Sequence, residues 1–534
     1  MKRYIYILSL LIAGNIATAR AQSATEVLRL SDTEVVGTAR FVAMGGAFTS
    51  LGGDISSLSQ NPAGIGVFRT SDIAATLSIS PQSNKVSNLP GNTANSKTRV
   101  LFDNLGFVAT MHFEEESILQ NINFGVAYNR RQSFSKNYRV NYNSLHGSLT
   151  NAIAGLCNTA PENLLTANGA YNSGAPWLDV LAYDNFLIDC ISGSNSGAPQ
   201  YAGMYGAGTR GAGYLDVEES GYNGEYTFNF GGNISNRLFF GIGLGITDMK
   251  YLTVSEYGES LAGAQGTTEI DGTLYPIIAS SYSLYNELEI KGTGVNFKVG
   301  LIGYITDSWR VGIAVHTPTY FSLTRTAYGD IINDYIYTDN NEEVIAHSSS
   351  YTPTSITDFN LRTPLKLNVG TSYLFGTKAI VSADYEYSAN TRMKMHDSDG
   401  YAYTYDNDDM HTYLKNSHTI RLGAEYRITP QLSARAGYAL TTPSVSSDWL
   451  DNKSYVPTAG TLTNYTLPRT RHSASIGLGY RIKMVYIDAA YQYRHIKNEV
   501  MAYSGIPEKQ ISGAENARLI TKNNNIILTF GVKF

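Results

Sequence analysis

Between Thr70 and Phe534 the chain contains repeated stretches that alternate, position by position, between large apolar residues and small or polar ones. In 419–428, Ile420, Leu422, Ala424, Tyr426 and Ile428 alternate with Thr419, Arg421, Gly423, Glu425 and Arg427. In 237–247, Leu238, Phe240, Ile242, Leu244 and Ile246 alternate with Phe239, Gly241, Gly243 and Gly245. A period of two marks a strand with two unlike faces. One face is greasy and the other is small or charged, which suits lipid outside and a wet lumen inside. Such stretches occupy roughly 70–80, 104–113, 121–130, 224–234, 237–248, 284–304, 309–327, 359–375, 378–388, 418–428, 431–440, 470–482, 484–494 and 524–534. The gaps between these fourteen stretches alternate strictly between long and short. This predicts an all-β fold: a 14-stranded antiparallel transmembrane outer-membrane β-barrel with tight turns at one end and long loops at the other. The stretch 284–304 contains Gly292 and Gly294 and is read as one strand, because two would break the gap alternation. The largest loop is expected at 131–223.

Composition narrows the alternatives. Charged residues make up 16% of the chain, against about 25% in soluble domains. Gly (50) and Tyr (39) are abundant, and the mean hydropathy is −0.17. Past the N-terminus no apolar run is long enough for a membrane helix. A net charge of −5 offers no basic footprint for nucleic acid. Lys2 and Arg3, the apolar run Ile5–Ile16 and Ala19-Arg20-Ala21 read as a signal peptide, 1–21, leaving Gln22 first. The end NNIILTFGVKF alternates up to Phe534 and resembles the assembly signal of Gram-negative outer-membrane barrels. The expected surroundings are therefore outer-membrane lipid and lipopolysaccharide. The barrel-assembly machinery is expected to engage Phe534, and the protein is expected to be a monomer with both termini periplasmic or lumenal.

Residues 22–69 lack alternation. Gly45-Gly46 and Gly52-Gly53 permit tight turns, Asp54 is placed to cap a short helix, and Pro62 prevents its continuation. On composition the segment is either a plug in the lumen or a periplasmic extension. Its stretch MGGAFTSLGGDISSLSQNPAGIGVFR resembles the N-terminal hatch of the FadL/TodX family, outer-membrane channels for long-chain fatty acids and aromatic hydrocarbons. The matching positions are Gly45, Gly46, Ala47 and Phe48, then Gly53 and Asp54, then Asn61, Pro62, Ala63 and Gly64. WRVGIAVHTP, LRTPLKLNVGTSYLF and LPRTRHSASIGLGYRI resemble the family's barrel more diffusely. The resemblance implies fourteen strands on 70–534, a hatch on 22–69, and passive, hatch-gated uptake of a hydrophobic small molecule. It also implies a sideways opening near the third strand, with no cofactor and no catalytic residue.

Capture of such a ligand is expected in the loop 131–223. Trp177, Leu178, Leu181, Phe186 and Leu187 have near-helical spacing, as do Leu145, Leu149, Ile153 and Leu156. Two such helices either form a greasy groove or pack on each other. Cys157 and Cys190 share this loop in an oxidising compartment, so a disulfide is expected. On the lumen face, Arg421, Arg435 and Arg471 either contact a ligand carboxylate or join a salt-bridge network. The nine histidines show no metal-ligand spacing. Two other functions fit the composition: a passive haem-binding receptor using His146 or His347, and an outer-membrane lipid-modifying enzyme, although no G-x-S-x-G is present.

Overall fold

The computed structural model describes residues 23–534 apart from 115, 160–164, 166–170, 172–174 and 193–198. The expected signal segment 1–21 and Gln22 lie outside the described residues. Fourteen antiparallel strands close on themselves. They are β1 (Asp72–Val86), β2 (Asn95–His112), β3 (Leu119–Ser133), β4 (Arg210–Ile234), β5 (Leu238–Ala262), β6 (Thr273–Tyr304) and β7 (Trp309–His316), followed by β8 (Lys366–Phe375), β9 (Ala379–Ser388), β10 (Ser417–Arg427), β11 (Leu432–Thr441), β12 (Tyr465–Ile482), β13 (Val485–Met501) and β14 (Ala517–Lys533). Each pairs with the next, and β14 returns to β1 with Lys533 opposite Asp72. All fourteen coincide with alternating stretches in the sequence.

Two stretches are corrected internally. In 309–327, β7 ends at His316 and a separate strand, Tyr320–Asp339, continues along β6. In 359–375, Ser355–Arg362 precedes β8. Pro318 and Pro364 sit at the two breaks, where a missing N–H interrupts the ladder. The 284–304 stretch is one strand despite Gly292, as expected.

Alternate residues point outward and stay exposed, among them Ile476, Leu478, Ile487, Ile526, Leu528 and Phe530. They form the apolar belt of a transmembrane barrel. β4, β5 and β6 run for 25, 25 and 32 residues, far beyond the roughly 9–11 that cross a bilayer. They rise past the belt at the long-loop end, so much of the expected loops 249–283 and 328–358 is strand. The 131–223 loop contracts likewise, because Lys136–Tyr142 pairs with β4 from Gly213 to Glu219.

Helices fill the long-loop end. α1 (Ala24–Ser31) and α2 (Ala39–Ala43) precede the barrel, and α3 (Leu149–Cys157), α4 (Trp177–Asp184) and α5 (Thr404–Tyr413) lie in loops. α3 and α4 bury Leu149, Ile153, Val180 and Leu181 against Val86 of β1, Tyr257 of β5, Leu284 of β6 and Leu519 of β14. This core roofs the barrel. Below it, α1 buries Val27, Leu28 and Leu30 against Met249, Tyr251, Met395, Met410 and Trp449.

Candidate functional site

The N-terminal segment lies against the inner wall. Ten strands meet it with a glycine: Gly106, Gly125, Gly231, Gly241, Gly300, Gly312, Gly370, Gly423, Gly437 and Gly477. At each, a Cβ would come within 3.0 Å of an atom of residues 43–65. The missing side chains make the seat. This belt was not legible as such in the sequence, although its signal is there: one inward-facing glycine per strand, at matching heights.

Polar wall groups then hold the segment. Asp384 accepts from the Thr49 N–H at 2.7 Å and from Gln60 Nε2 at 3.2 Å. His316 Nε2 donates to the Gln60 carbonyl at 2.7 Å. Thr529 Oγ1 accepts from Ala39 N–H at 2.7 Å, and Asn121 and Asn123 each donate to the Phe68 carbonyl at 3.1 Å. Arg40 pairs with Glu425 at 2.9 Å, and Arg435 pairs with the same carboxylate at 2.7 Å and with Asp488. Arg435 thus completes a network that anchors the segment and does not line the open lumen.

Within the segment each expected residue has a definite place. Gly45 (φ +64°) and Gly46 (φ +75°) turn the chain where side chains are strained. Phe48 is buried on Phe41, with ring centroids 5.3 Å apart. Asp54 caps the 3₁₀ turn Ile55–Ser59 through the Ser56 N–H at 2.9 Å and accepts from Thr38 Oγ1 at 2.8 Å. Asn61 caps the turn Pro62–Val67: its Oδ1 accepts from Ala63 N–H at 3.0 Å while its Nδ2 donates to the Thr49 carbonyl at 2.6 Å. Pro62 occupies the first position of that turn, which needs no N–H. Ala63 packs on Phe239 and Ile302. Gly64 faces Gly52 so closely that a Cβ would lie 2.9 Å from its Cα.

The wall itself is interrupted beside β3. β2 and β3 pair from His112–Asn121 up to Asn104–Asn129 and no further. Beyond that, β2 continues to Asn95 on β1 alone. β3 bulges between Arg130 and Gln132, and its continuation Lys136–Tyr142 turns inward, where Asn84 Nδ2 donates to the Asn137 carbonyl at 3.0 Å. The result is a lateral gap with one free edge, Asn95–Asp103. Its lip is a buried ion pair, Arg130 to Asp103 at 2.7 Å. Glu34 of the N-terminal segment joins it, 3.4 Å from Arg130 and 2.8 Å from Arg494 of β13. Burial works against the charge on Glu34, yet Arg494 and Arg130 hold its carboxyl down to about 2. Outside the gap, Phe102 stacks on Tyr128 with ring centroids 5.8 Å apart, and Tyr226 meets Tyr128 at a tilt, 5.2 Å away.

Behind the gap lies a cavity of about 160 Å³ between α1, the kinked end of β3 and the inner faces of β9–β14. Four carboxylates line it, and each meets an arginine: Glu219 with Arg29, Glu386 with Arg421, Asp32 with Arg471 and Glu34 with Arg494. Lys136 and Lys366 also line it and share Glu219 and Glu386, at 3.6 and 3.7 Å, so these cations exceed the anions by two, while Arg469 is paired with Glu499 outside the lining. Arg421 gives one terminal nitrogen to Glu386 at 2.6 Å, and its other, Nη1, is buried without a hydrogen-bond partner. Arg421 and Arg471 thus line this cavity, each in an ion pair, with Glu386 and Asp32.

Of the two arrangements open to these helices, the described residues show the packed one. Leu181 and Leu187 are fully buried in the roof, with Leu178 and Phe186 packed against it, so the helices pack on each other. Trp177 donates to the Tyr171 carbonyl at 3.2 Å. The expected disulfide is not formed. Cys157 is buried with its thiol bonded to Asp179, whereas Cys190 is exposed on the ribbon pairing with Tyr201. Burial first, then the Asp179 carboxyl, pushes the Cys157 thiol well up. His347 is exposed and bonded to Asp334 at 2.8 Å, and His146 lines a separate surface cleft. Among the described residues no three His, Cys, Asp or Glu side chains group as metal ligands.

No protein-family model and no curated protein matches the chain. Solved structures do. A FadL homologue of Pseudomonas aeruginosa matches with a TM-score of 0.53 at 13% identity, over 94% of this chain and 100% of that one. The toluene transporter TodX of Pseudomonas putida matches at 0.47 and 13%, over 94% and 100%. The toluene transporter TbuX of Ralstonia pickettii matches at 0.43 and 14%, over 94% and 99%. At such identities the likeness concerns architecture, and the protein shares the barrel fold of the Pseudomonas aeruginosa FadL homologue.

Proposed function

We propose that this protein is an outer-membrane channel for passive uptake of hydrophobic small molecules that carry an anionic head, such as long-chain fatty acids. The observation that carries this reading is the lateral gap between β2 and β3, opening onto a cavity beside a lumen closed by the N-terminal segment. Roof and segment both obstruct a straight path along the axis, which leaves the side. A hydrocarbon tail then leaves through a wall rimmed by Phe102, Tyr128 and Tyr226, while the excess cations and the unpartnered Arg421 nitrogen receive the head. A bare hydrocarbon gains nothing from these charges, so the reading favours amphiphiles. The fold shared with a FadL homologue supports transport of a hydrophobic compound, and the charges of the cavity carry the preference for an anionic head. In this reading residues 22–69 are the hatch, the short turns and both termini are periplasmic, and the roofed end is extracellular.

Uptake of labelled oleate is compared in cells with and without the protein. Pro62→Ala and deletion of 41–64 are expected to change the rate several-fold while heat-modifiable migration shows an intact barrel. No acceleration by the intact protein overturns the channel; unchanged rates in both variants overturn the hatch. A photoreactive phenylalanine analogue at Phe102 is expected to capture a labelled fatty acid, and the same analogue at Leu478 is not. Equal capture at both rejects the lateral route.

A further inference from the structure

The outer wall carries a charged feature that the proposed route does not use. Four neighbouring strands present a basic patch at the long-loop edge of the apolar belt. His472 of β12 stands opposite His495 of β13, His495 opposite Lys522 of β14, and Lys522 opposite Ser83 of β1. Directly opposed residues share a face, with Cβ atoms about 5 Å apart. One row further from the belt, Lys497 and Lys85 flank Ile520. The same strands expose Ile476 and Ile526 to lipid just below.

The patch lacks counter-charges. Among the described residues Lys85, Lys497 and Lys522 form no ion pair, and the nearest carboxylate along β13, Glu499, is buried against Arg469 at 2.5 Å and Arg518 at 3.2 Å. At the same height across the barrel the arrangement differs. There Lys250 and Lys291 share Glu289 as a counter-ion, at 2.8 and 3.1 Å. The rings are also set in place: Tyr438 OH shares a hydrogen bond with His472 Nδ1 at 2.8 Å, leaving Nε2 for another partner, and Tyr493 stacks on His495 at 6.5 Å.

We propose that this patch binds the phosphate-bearing headgroup of a membrane lipid in the leaflet at the long-loop end. Ammonium and imidazole groups suit phosphate oxygens. The position, directly above exposed apolar side chains, suits a head whose acyl chains lie against the belt and does not favour a free ion.

The test is lipid binding to purified, delipidated protein, read by native mass spectrometry. The probes are an acylated disaccharide phosphate, its dephosphorylated form and inorganic phosphate. The phosphorylated lipid is expected to bind at least tenfold better than the other two. Lys497→Ala/Lys522→Ala is expected to remove that preference tenfold, and Lys250→Ala/Lys291→Ala to leave it unchanged. Lys522→Met, which keeps the apolar stem, serves if the double variant does not assemble; its expected loss is several-fold. Equal binding of the dephosphorylated lipid, equal loss in both double variants, or inorganic phosphate binding as tightly as the lipid overturns the site.

Discussion

At the scale of single residues, charge and volume set the two sharpest sensitivities. Burial pushes Asp179 up to about 7, against a thiol bond from Cys157 that lowers it only in part. The folded loop therefore holds a proton that the unfolded loop releases near pH 4, so stability from this residue is lost as pH rises toward 7. The protection factors of α3 and α4, which remove the intrinsic rise of amide exchange with pH, are expected to fall between pH 4 and pH 7. Asp179→Asn is expected to abolish that change, stabilising the roof above pH 7 by a few kcal/mol. Unchanged protection across this range would reject the assignment. Volume acts at the belt of glycines. Gly241→Val drives two methyls into Pro62, an overpacking worth about 1–3 kcal/mol. The expected result is a barrel that still assembles but whose residues 43–65 become open to protease and whose pore leaks ions in planar bilayers. A tight pore would show that the wall yields instead.

Among the elements, the free edge of β2 and the kinked β3 depend on one another through Arg130. Removing it strands Asp103 in a buried position, a loss of about 3–5 kcal/mol in comparable pairs, and leaves Glu34 held by Arg494 alone. Arg130→Ala is therefore expected to loosen Glu34 and raise ion leakage, whereas Arg139→Ala, at an exposed pair with Asp216, is not. Equal conductance in both variants would uncouple the segment from the gap. The strands that cross lipid could be read directly because lipid demands an apolar outer face at every second residue. Beyond the belt that demand ends: residues 249–262 of β5 continue the ladder with Lys250 and Glu256 among them, and alternation no longer reports it. The gap was unreadable for a related reason. Arg130 and Gln132 look like any lumen-facing pair, and only register reveals where a ladder stops. Asn61, Pro62 and Gly64 were legible because capping, a fixed φ and a missing Cβ are local properties. Trp177 through Leu187 were legible as helix but not as groove or core, since that depends on what β1, β5, β6 and β14 bring to meet them.

For the molecule as a whole, composition follows from nested surfaces. Lipid takes the tyrosines and aliphatics, the lumen takes the charges, and the N-terminal segment takes the glycines. The seat of that segment has a consequence for biogenesis. Its contacts come from ten strands spread between Gly106 and Gly477, so this segment, made before all of them, has no complete seat until almost all of the barrel is in place. Contacts at such sequence separation form late. The segment must wait outside an unfinished wall and dock as the sheet closes between β14 and β1, where Lys533 meets Asp72. Newly inserted barrels should therefore pass through a leaky interval, which ends when this earlier-made segment finds its place last.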